Sequence, residues 1–181
     1  ASIVSGVFLG SAGQSCVASS RALVQRGIYP EFVRRITAAA AQLRVGDPMD
    51  AGAQLGPLAT AAQLNRIETA VAQAVQRGGR LLLGGNRPEI AGGGWYYQPT
   101  ILEIGSHDDA LVQTEMFGPV LAILPFGDEA EAVALANASR FGLAAGIFTT
   151  NVGRVHRLTT RLRAGIQYVN CYRMGAPMAP I

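Results

Sequence analysis

The segment VLAILPF at residues 120–126, followed by GDEAEA at residues 127–132, decides the fold. Seven consecutive residues without a charged side chain are typical of a strand that is buried in a sheet. Asp128 is a good N-cap residue, and Glu131 follows it at the spacing of a capping box that begins a helix. A buried strand that leads into a helix indicates an α/β protein, because helices usually connect parallel strands.

Strands and helices alternate on both sides of this segment. Further strands are predicted at residues 20–24, 81–83, 97–102, 142–149 and 165–169. Further helices are predicted from Pro30, after Thr60 as N-cap, and over residues 152–162. Because Pro99 lacks an N–H group, we expect its strand to lie at the edge of the sheet. The strand at residues 81–83 is expected to be buried. We expect one α/β domain over residues 1–181: three layers, with a mostly parallel sheet and helices on both faces.

Composition narrows the class of protein. Of the 181 residues, 49% are hydrophobic and only 15% are charged, which leaves apolar surface for a partner. All positive side chains are arginines. The densest group of them is Arg154, Arg157, Arg161 and Arg163. Their helical spacing predicts a solvated helix face, and we expect no nucleic-acid partner. No apolar run reaches the roughly 20 residues that span a membrane. The chain begins without Met or a signal-peptide pattern, and we expect a piece of a longer cytoplasmic protein.

Cys16 follows a glycine-bearing run, GQSC at residues 13–16, and precedes a predicted strand. A thiol near main-chain N–H groups at such a junction is a candidate nucleophile, and a buried structural cysteine is the alternative. Cys171 lies far away in sequence, so neither a disulfide framework nor a metal site is indicated. His107 is expected in a solvated turn and His156 on a surface helix, which leaves a cysteine–histidine pair as a weaker alternative.

A second motif, EMFGPV at residues 115–120, places an acid and an aromatic residue before a Gly-Pro turn. One interpretation is a simple turn with Phe117 as part of the core. The other is a binding segment, in which the Glu115 carboxylate accepts hydrogen bonds from sugar hydroxyls and Phe117 lies beside a flat ring.

Together these motifs resemble the NAD(P)-dependent aldehyde dehydrogenase superfamily. Besides the two motifs above, the resemblance includes FGLAAGIFT at residues 141–149 and AGIQYVNCY at residues 164–172. Shorter matching pieces connect them: YPEFV at 29–33, GDP at 46–48, LGPL at 55–58 and QPT at 98–100. The order is that of the family, and nearly the whole chain is covered. The resemblance implies the family's catalytic domain and a nicotinamide cofactor, either NAD or NADP.

The resemblance also implies roles for residues. Cys16 matches the nucleophile that attacks an aldehyde to give a thiohemiacetal, then a thioester, then the acid, and its N–H would stabilise the oxyanion. Glu115 matches the acid that binds the ribose hydroxyls on the nicotinamide side, and Phe117 the aromatic beside that end of the cofactor. Positions near the substrate tunnel are matched by Ser15, Val17, Arg173, Gly175 and Ile181.

Some positions depart from the family's pattern. Ile181 stands where many members have Phe, which predicts a less aromatic tunnel, and Ser11 stands where Asn is common. Arg173 could attract an anionic aldehyde or face the surface or a partner.

The family's dinucleotide-binding domain, deacylating Glu, oxyanion Asn and dimer arm are not in this sequence. We therefore expect the chain alone to be inactive and the full-length enzyme to be a homo-oligomer. The alternatives are a CoA-acylating or acyl-transfer thiol enzyme on the same fold, and a non-catalytic remnant or interaction module.

Overall fold

The computed structural model describes residues 2–9 and 11–172. The helices are Ser2–Val7 (α1), Tyr29–Ala41 (α2), Ala61–Gln76 (α3), Ala110–Gln113 (α4), Glu129–Asn137 (α5) and Val152–Thr159 (α6). The strands are Arg21–Gln25 (β1), Arg80–Leu83 (β2), Thr100–Glu103 (β3), Val120–Phe126 (β4), Ala144–Ile147 (β5) and Ile166–Val169 (β6). The predicted α/β class is confirmed.

Four strands form the larger sheet in the order β1-β4-β3-β2. Strands β1 and β3 run parallel to β4, and β2 runs antiparallel to β3. Ala122 on β4 is opposite Arg21 on β1 and opposite Leu102 on β3. The loop before β1 and the loop before β4 therefore emerge at the same edge, because the two strands are parallel neighbours.

Strand β4 supplies side chains to both faces of this sheet. Val120, Ala122 and Leu124 belong to the core beneath α3 and α4. Leu121 and Ile123 belong to the opposite core, which contains residues of α1 and α2. Since successive side chains of a strand point to opposite faces, one uncharged strand serves two cores. The predicted arrangement of helices on both faces is confirmed.

The two predicted N-caps are confirmed. The hydroxyl of Thr60 accepts a hydrogen bond from the N–H of Gln63 at 3.1 Å, and Asp128 accepts one from the N–H of Glu131 at 2.8 Å. The Glu131 carboxylate reaches back one residue further than in a standard capping box, because it accepts from the N–H of Gly127 at 2.6 Å. Each cap satisfies N–H groups that the first helical turn leaves free.

Strands β5 and β6 form a separate two-stranded parallel sheet. Asn170, which follows β6, has a left-handed backbone with φ of 54°. Its side chain accepts from the N–H of Thr149 at 2.9 Å and donates to the Thr149 carbonyl at 3.0 Å. This side chain continues the pairing of the two strands beyond their last residues.

Several predicted details were wrong. The strand predicted at residues 97–102 begins at Thr100 and lies inside the sheet rather than at its edge. Pro99 is tolerated because it precedes the first ladder bond, from the N–H of Thr100 to the Pro119 carbonyl at 2.9 Å. Strand β2 is the edge strand instead, and its Leu81 is 41% exposed. The strand predicted at residues 142–149 is shorter, and Ile147 is its one buried residue.

Helices α1 and α4 were not predicted. Both are short, at six and four residues, and helical periodicity needs a longer window to be recognised.

Candidate active site

The candidate nucleophile lies in the loop of residues 11–18, which we call the Cys16 loop. Three consecutive residues of this loop have left-handed backbones: Ser11, Ala12 and Gly13, with φ of 75°, 48° and 75°. This conformation costs a residue other than glycine about 1–2 kcal/mol. Ser11 is the position at which the resemblance described above predicts Asn, a residue that tolerates left-handed geometry better. Backbone strain of this kind is common at active sites, and its occurrence next to the thiol of Cys16 indicates a functional loop.

Gly13 brings the two predicted motifs together. A Cβ atom on Gly13 would overlap the carbonyl of Gly118 and would lie 3.0 Å from the nitrogen of Pro119. The Cys16 loop therefore rests directly on the Gly-Pro turn that follows Phe117. Although about a hundred residues of sequence separate them, the structure places the two motifs side by side, as a shared active site requires.

Cys16 is exposed, so the alternative of a buried structural cysteine does not apply. Its neighbours Ser15 and Val17 are half-buried. A turn at this point is closed by a hydrogen bond from the N–H of Ala18 to the Ser15 carbonyl at 2.9 Å. Within residues 2–9 and 11–172, the N–H of Cys16 has no hydrogen-bond partner. Both the thiol and this N–H are therefore open to a ligand.

The segment of residues 115–117 is held by its main chain, and the side chains of Glu115 and Phe117 remain exposed. Arg66 donates to the carbonyls of Glu115 at 2.8 Å and Met116 at 2.7 Å. Gln63 donates to the carbonyls of Met116 and Phe117, each at 2.7 Å. Among the described residues, the Glu115 carboxylate makes no ion pair and accepts no hydrogen bond. It is available to accept hydrogen bonds from hydroxyls.

Phe117 is not part of the core. It is 40% exposed, and its backbone is left-handed with φ of 51°. The next residue, Gly118, fits tightly against α3, because a Cβ atom there would overlap the side chain of Ile67. This close contact and the hydrogen bonds from Gln63 hold Phe117 in its strained conformation. An exposed aromatic side chain on a fixed backbone can lie against a flat ring.

The sequence interpretation missed Gln63 and Arg66. They are spaced by three residues near the start of α3, so they lie on one helix face. That spacing was visible in the sequence, but the carbonyls that they bind are about fifty residues away.

His107 does not lie in a freely solvated turn, contrary to the expectation. Its ring is half-buried and lies 2.9 Å from a guanidinium nitrogen of Arg21 and 2.9 Å from the amide nitrogen of Gln113. Burial, and then the positive charge of Arg21, lower the pKa of His107. Since guanidinium can only donate, Nε2 acts as an acceptor and is unprotonated. Its Nε2 lone pair is occupied by Arg21, so His107 is a poor candidate for the base of a cysteine–histidine pair.

The remaining predicted residues are placed as follows. His156 is exposed on α6, as expected. Arg173, Gly175 and Ile181 lie outside the described residues, so their predicted substrate contacts stay predictions.

The described part of the chain contains neither a cluster of metal ligands nor a membrane-spanning helix. In residues 2–9 and 11–172 no group of three or more His, Cys, Asp or Glu side chains could hold a metal ion. Across those residues no helix has both the length and the apolar character that a membrane crossing requires.

A groove of about 390 Å³ runs between α3 and α4 beside Arg66 and Met116, and Cys16 is not among its lining residues.

The chain belongs to the aldehyde dehydrogenase family, whose profile matches residues 1–181. A (Z)-2-((N-methylformamido)methylene)-5-hydroxybutyrolactone dehydrogenase of Acinetobacter baylyi is 43% identical over 169 residues, which cover 93% of this chain and 34% of that protein. A betaine aldehyde dehydrogenase of Rhizobium leguminosarum is 38% identical over 183 residues, which cover 99% of this chain and 38% of that protein. The chain thus spans little more than a third of these relatives.

Solved structures agree with this assignment. The crystal structure of a Mycobacterium tuberculosis aldehyde dehydrogenase complexed with NAD+ matches with a TM-score of 0.94 at 37% identity. The match covers 99% of this chain and 37% of that one. The fold described above is therefore one part of a larger family architecture.

Proposed function

We propose that this chain is the nucleophile-bearing part of an enzyme that oxidises an aldehyde to a carboxylic acid with NAD or NADP. The observation that carries the proposal is the contact of Gly13 with the Gly118–Pro119 turn, which puts the loop of an exposed thiol against the segment that carries an exposed carboxylate and aromatic ring. Membership of the family, and the NAD+ complex of a relative, support the same activity.

Cys16 is the nucleophile. Its thiolate Sγ bonds to the aldehyde carbon, and the carbonyl π electrons move onto oxygen to give a thiohemiacetal oxyanion. The N–H of Cys16, which has no partner in the described residues, donates to that oxyanion. Loss of hydride from the carbon leaves a thioester, and water then releases the acid and the thiol. Ser15 and Val17 flank the substrate.

Glu115 and Phe117 fit a nicotinamide cofactor. The exposed carboxylate of Glu115 suits a pair of ribose hydroxyls, and the exposed ring of Phe117 suits a flat heterocycle. A nicotinamide ring held by these residues would supply the acceptor for the hydride that the thiohemiacetal carbon loses. Because Gln63 and Arg66 hold the main chain here, the backbone that carries both side chains does not have to be ordered on binding.

Acyl transfer from p-nitrophenyl acetate tests the nucleophile without a cofactor. The acetyl group should bond to Sγ of Cys16 as p-nitrophenolate leaves, and mass spectrometry of the digested chain locates the modification. We expect acetylation at Cys16 to be faster than at Cys171, and Cys16→Ala to abolish it while the matched control Cys171→Ala does not. Equal, slow acetylation of both cysteines would overturn the assignment of Cys16.

We further propose that the 181-residue chain does not reduce NAD(P) with any aldehyde, because it spans only 34–38% of its relatives. Formation of NAD(P)H by the purified chain, followed by absorbance, is the result that would contradict this. We expect the assembly of the intact enzyme to be homo-oligomeric, and light scattering on that enzyme tests it.

A further inference from the structure

Gln14 is the residue that ties the Cys16 loop to the rest of the protein. Its Oε1 accepts a hydrogen bond from the N–H of Ala59 at 2.8 Å. Its Nε2 donates to the carbonyl of Pro57 at 3.3 Å and to the carbonyl of Ser11 at 2.9 Å. The amide therefore bridges two segments that lie more than forty residues apart in sequence.

Among the described residues, no other hydrogen bond joins the Cys16 loop to another segment. The remaining hydrogen bonds of the loop run within it, from Gln14 to Ser11, from Ser15 to Gly13 and from Ala18 to Ser15. Cys16 itself is exposed, so packing of its side chain does not fix its position. With Gln14 removed, only the packing of residues such as Gly13 would hold the strained loop.

The partners of Gln14 lead directly to the other half of the site. Ala59 precedes Thr60, which caps α3, and Gln63 and Arg66 in the first two turns of α3 bind the carbonyls of residues 115–117. The segment of residues 57–66 thus contacts the Cys16 loop through Gln14, and through α3 it contacts residues 115–117, which we call the Glu115 segment. This one short segment therefore fixes the Cys16 loop and the Glu115 segment relative to each other.

We propose that Gln14 is a positioning residue, which holds the N–H and thiol of Cys16 in the geometry needed to attack a carbonyl. Only an amide can serve here, because one end must accept a hydrogen bond while the other donates twice. A glutamate of the same shape would place a carboxylate oxygen against two carbonyl oxygens, and a methionine would leave the N–H of Ala59 and the carbonyl of Pro57 without a hydrogen bond. The inference rests on the proposed role of Cys16 as nucleophile.

Two reactions of Cys16 separate positioning from simple loss of structure. Acetylation by p-nitrophenyl acetate forms an oxyanion, so it needs the Cys16 N–H in place. Alkylation by iodoacetamide displaces iodide, forms no oxyanion and needs only an accessible thiolate. The ratio of the two rates at Cys16 therefore measures positioning, and Cys171 in the same molecule reports general unfolding.

We expect Gln14→Glu and Gln14→Met to lower acetylation of Cys16 by at least about tenfold, since a single misplaced oxyanion donor has effects of that order or larger. The rate of alkylation of Cys16 should change by less than about twofold, which is far below the effect of losing an oxyanion donor. The control Gln73→Glu, an exposed residue of α3, should change neither rate.

A fall of both rates in the same proportion, or no fall in either variant, would overturn the positioning role while leaving Cys16 as the nucleophile. Failure of the unsubstituted chain to acetylate Cys16 would instead overturn the proposed function itself. If Gln14→Glu does not fold, as judged by its unfolding transition, Gln14→Met decides the question, because it introduces no charge.

Discussion

The two sheets of this protein differ in how many of their side chains are buried. In the larger sheet, the first five residues of β4 are all buried, and helices cover both faces. In the smaller sheet, each strand has one buried residue, Ile147 and Tyr168, and the adjacent α6 has none. Several large apolar side chains near it are exposed, including Phe148 at 46% and Val152 at 69%.

This difference explains where the candidate site is built. The Cys16 loop leads into β1, and the Glu115 segment leads into β4, so both are attached to neighbouring strands of the well-packed sheet. Precise placement of reactive groups needs a rigid support, and buried packing supplies it. The smaller sheet buries one residue in each strand, and we expect it to open more readily.

The largest expected effect comes from truncating the core of the larger sheet. Ile123→Ala removes a fully buried side chain from β4 and should lower the free energy of unfolding by about 3–4 kcal/mol. Ile166→Ala, in half-buried β6, should cost about 1 kcal/mol, because less surface is buried there. Denaturant titration measures both values. Equal losses would mean that the two sheets are equally important for stability.

The next effect is steric and concerns the contact between the two motifs. Gly13→Ala places a methyl group onto the main chain of Gly118, in addition to the cost of its positive φ, and should destabilise the protein by about 3 kcal/mol. Gly92→Ala is the matched control, since its φ is also positive at 86° but nothing lies within 4 Å. The control should cost about 1 kcal/mol. Similar losses in the two variants, measured by thermal unfolding, would argue against a tight contact at Gly13.

A smaller effect on stability is expected from the protonation of His107, which lies in the larger-sheet region. The pKa of His107 is lowered in the folded protein, so the unfolded chain binds its proton more readily. The stabilisation is therefore complete above about pH 6.5, the ordinary value, and is lost as the pH falls below it toward the folded-state pKa. Besides Arg21, the charged group that acts on His107 is Asp108, which opposes this shift.

Thermal unfolding between about pH 7.5 and pH 5.5 tests this, because histidine titrates in that range. We expect His107→Gln to lose less stability on acidification than the unsubstituted protein. His156→Gln, on α6 of the smaller-sheet region, is the matched histidine-to-glutamine control. A stronger acid sensitivity of His107→Gln would contradict the assignment of a neutral imidazole.

The smallest effect should come from the ion pairs that join α5 to α6. Arg157 at 2.8 Å and Arg154 at 3.2 Å donate to Glu129 and lower its pKa to about 2. This contribution is present above the ordinary pKa of a glutamate and is lost as the pH falls through the folded-state pKa.

Because the pairs are solvent-accessible, Glu129→Gln should lower the unfolding temperature only slightly, and added salt should remove the difference. Glu31→Gln is the comparison, since Glu31 pairs with arginines of its own helix and joins no two elements. A large loss in Glu129→Gln that salt does not change would show that the smaller sheet depends on this contact.

Local signals were sufficient to predict much of the fold. The caps at Thr60 and Asp128 are decided by hydrogen bonds that span three residues, so short sequence windows contain them. The strand at β4 follows from its uncharged composition. The candidate site could be recognised as two motifs for the same reason, because Cys16 and Glu115 each lie in a distinctive short stretch.

Contacts between distant residues could not be predicted in this way. Nothing near Pro99 indicates that its strand lies between two others, since that depends on the order in which strands pair. His107 looked solvated because Arg21, its partner, is 86 residues away in sequence. The partners of Gln14 at residues 57–59 are also remote, so no short sequence window contains its contacts.

The sequence by itself determined the alternation of strands and helices, the caps, and the two motifs that carry the candidate chemistry. Those features depend on hydrophobic period and on hydrogen bonds between near neighbours. Only the tertiary structure decided that the strands divide into two sheets, that Gly13 rests on the Gly118 turn, and that Gln14 holds the loop. Such features depend on the packing of surfaces that are remote in the chain, and short sequence windows do not contain that information.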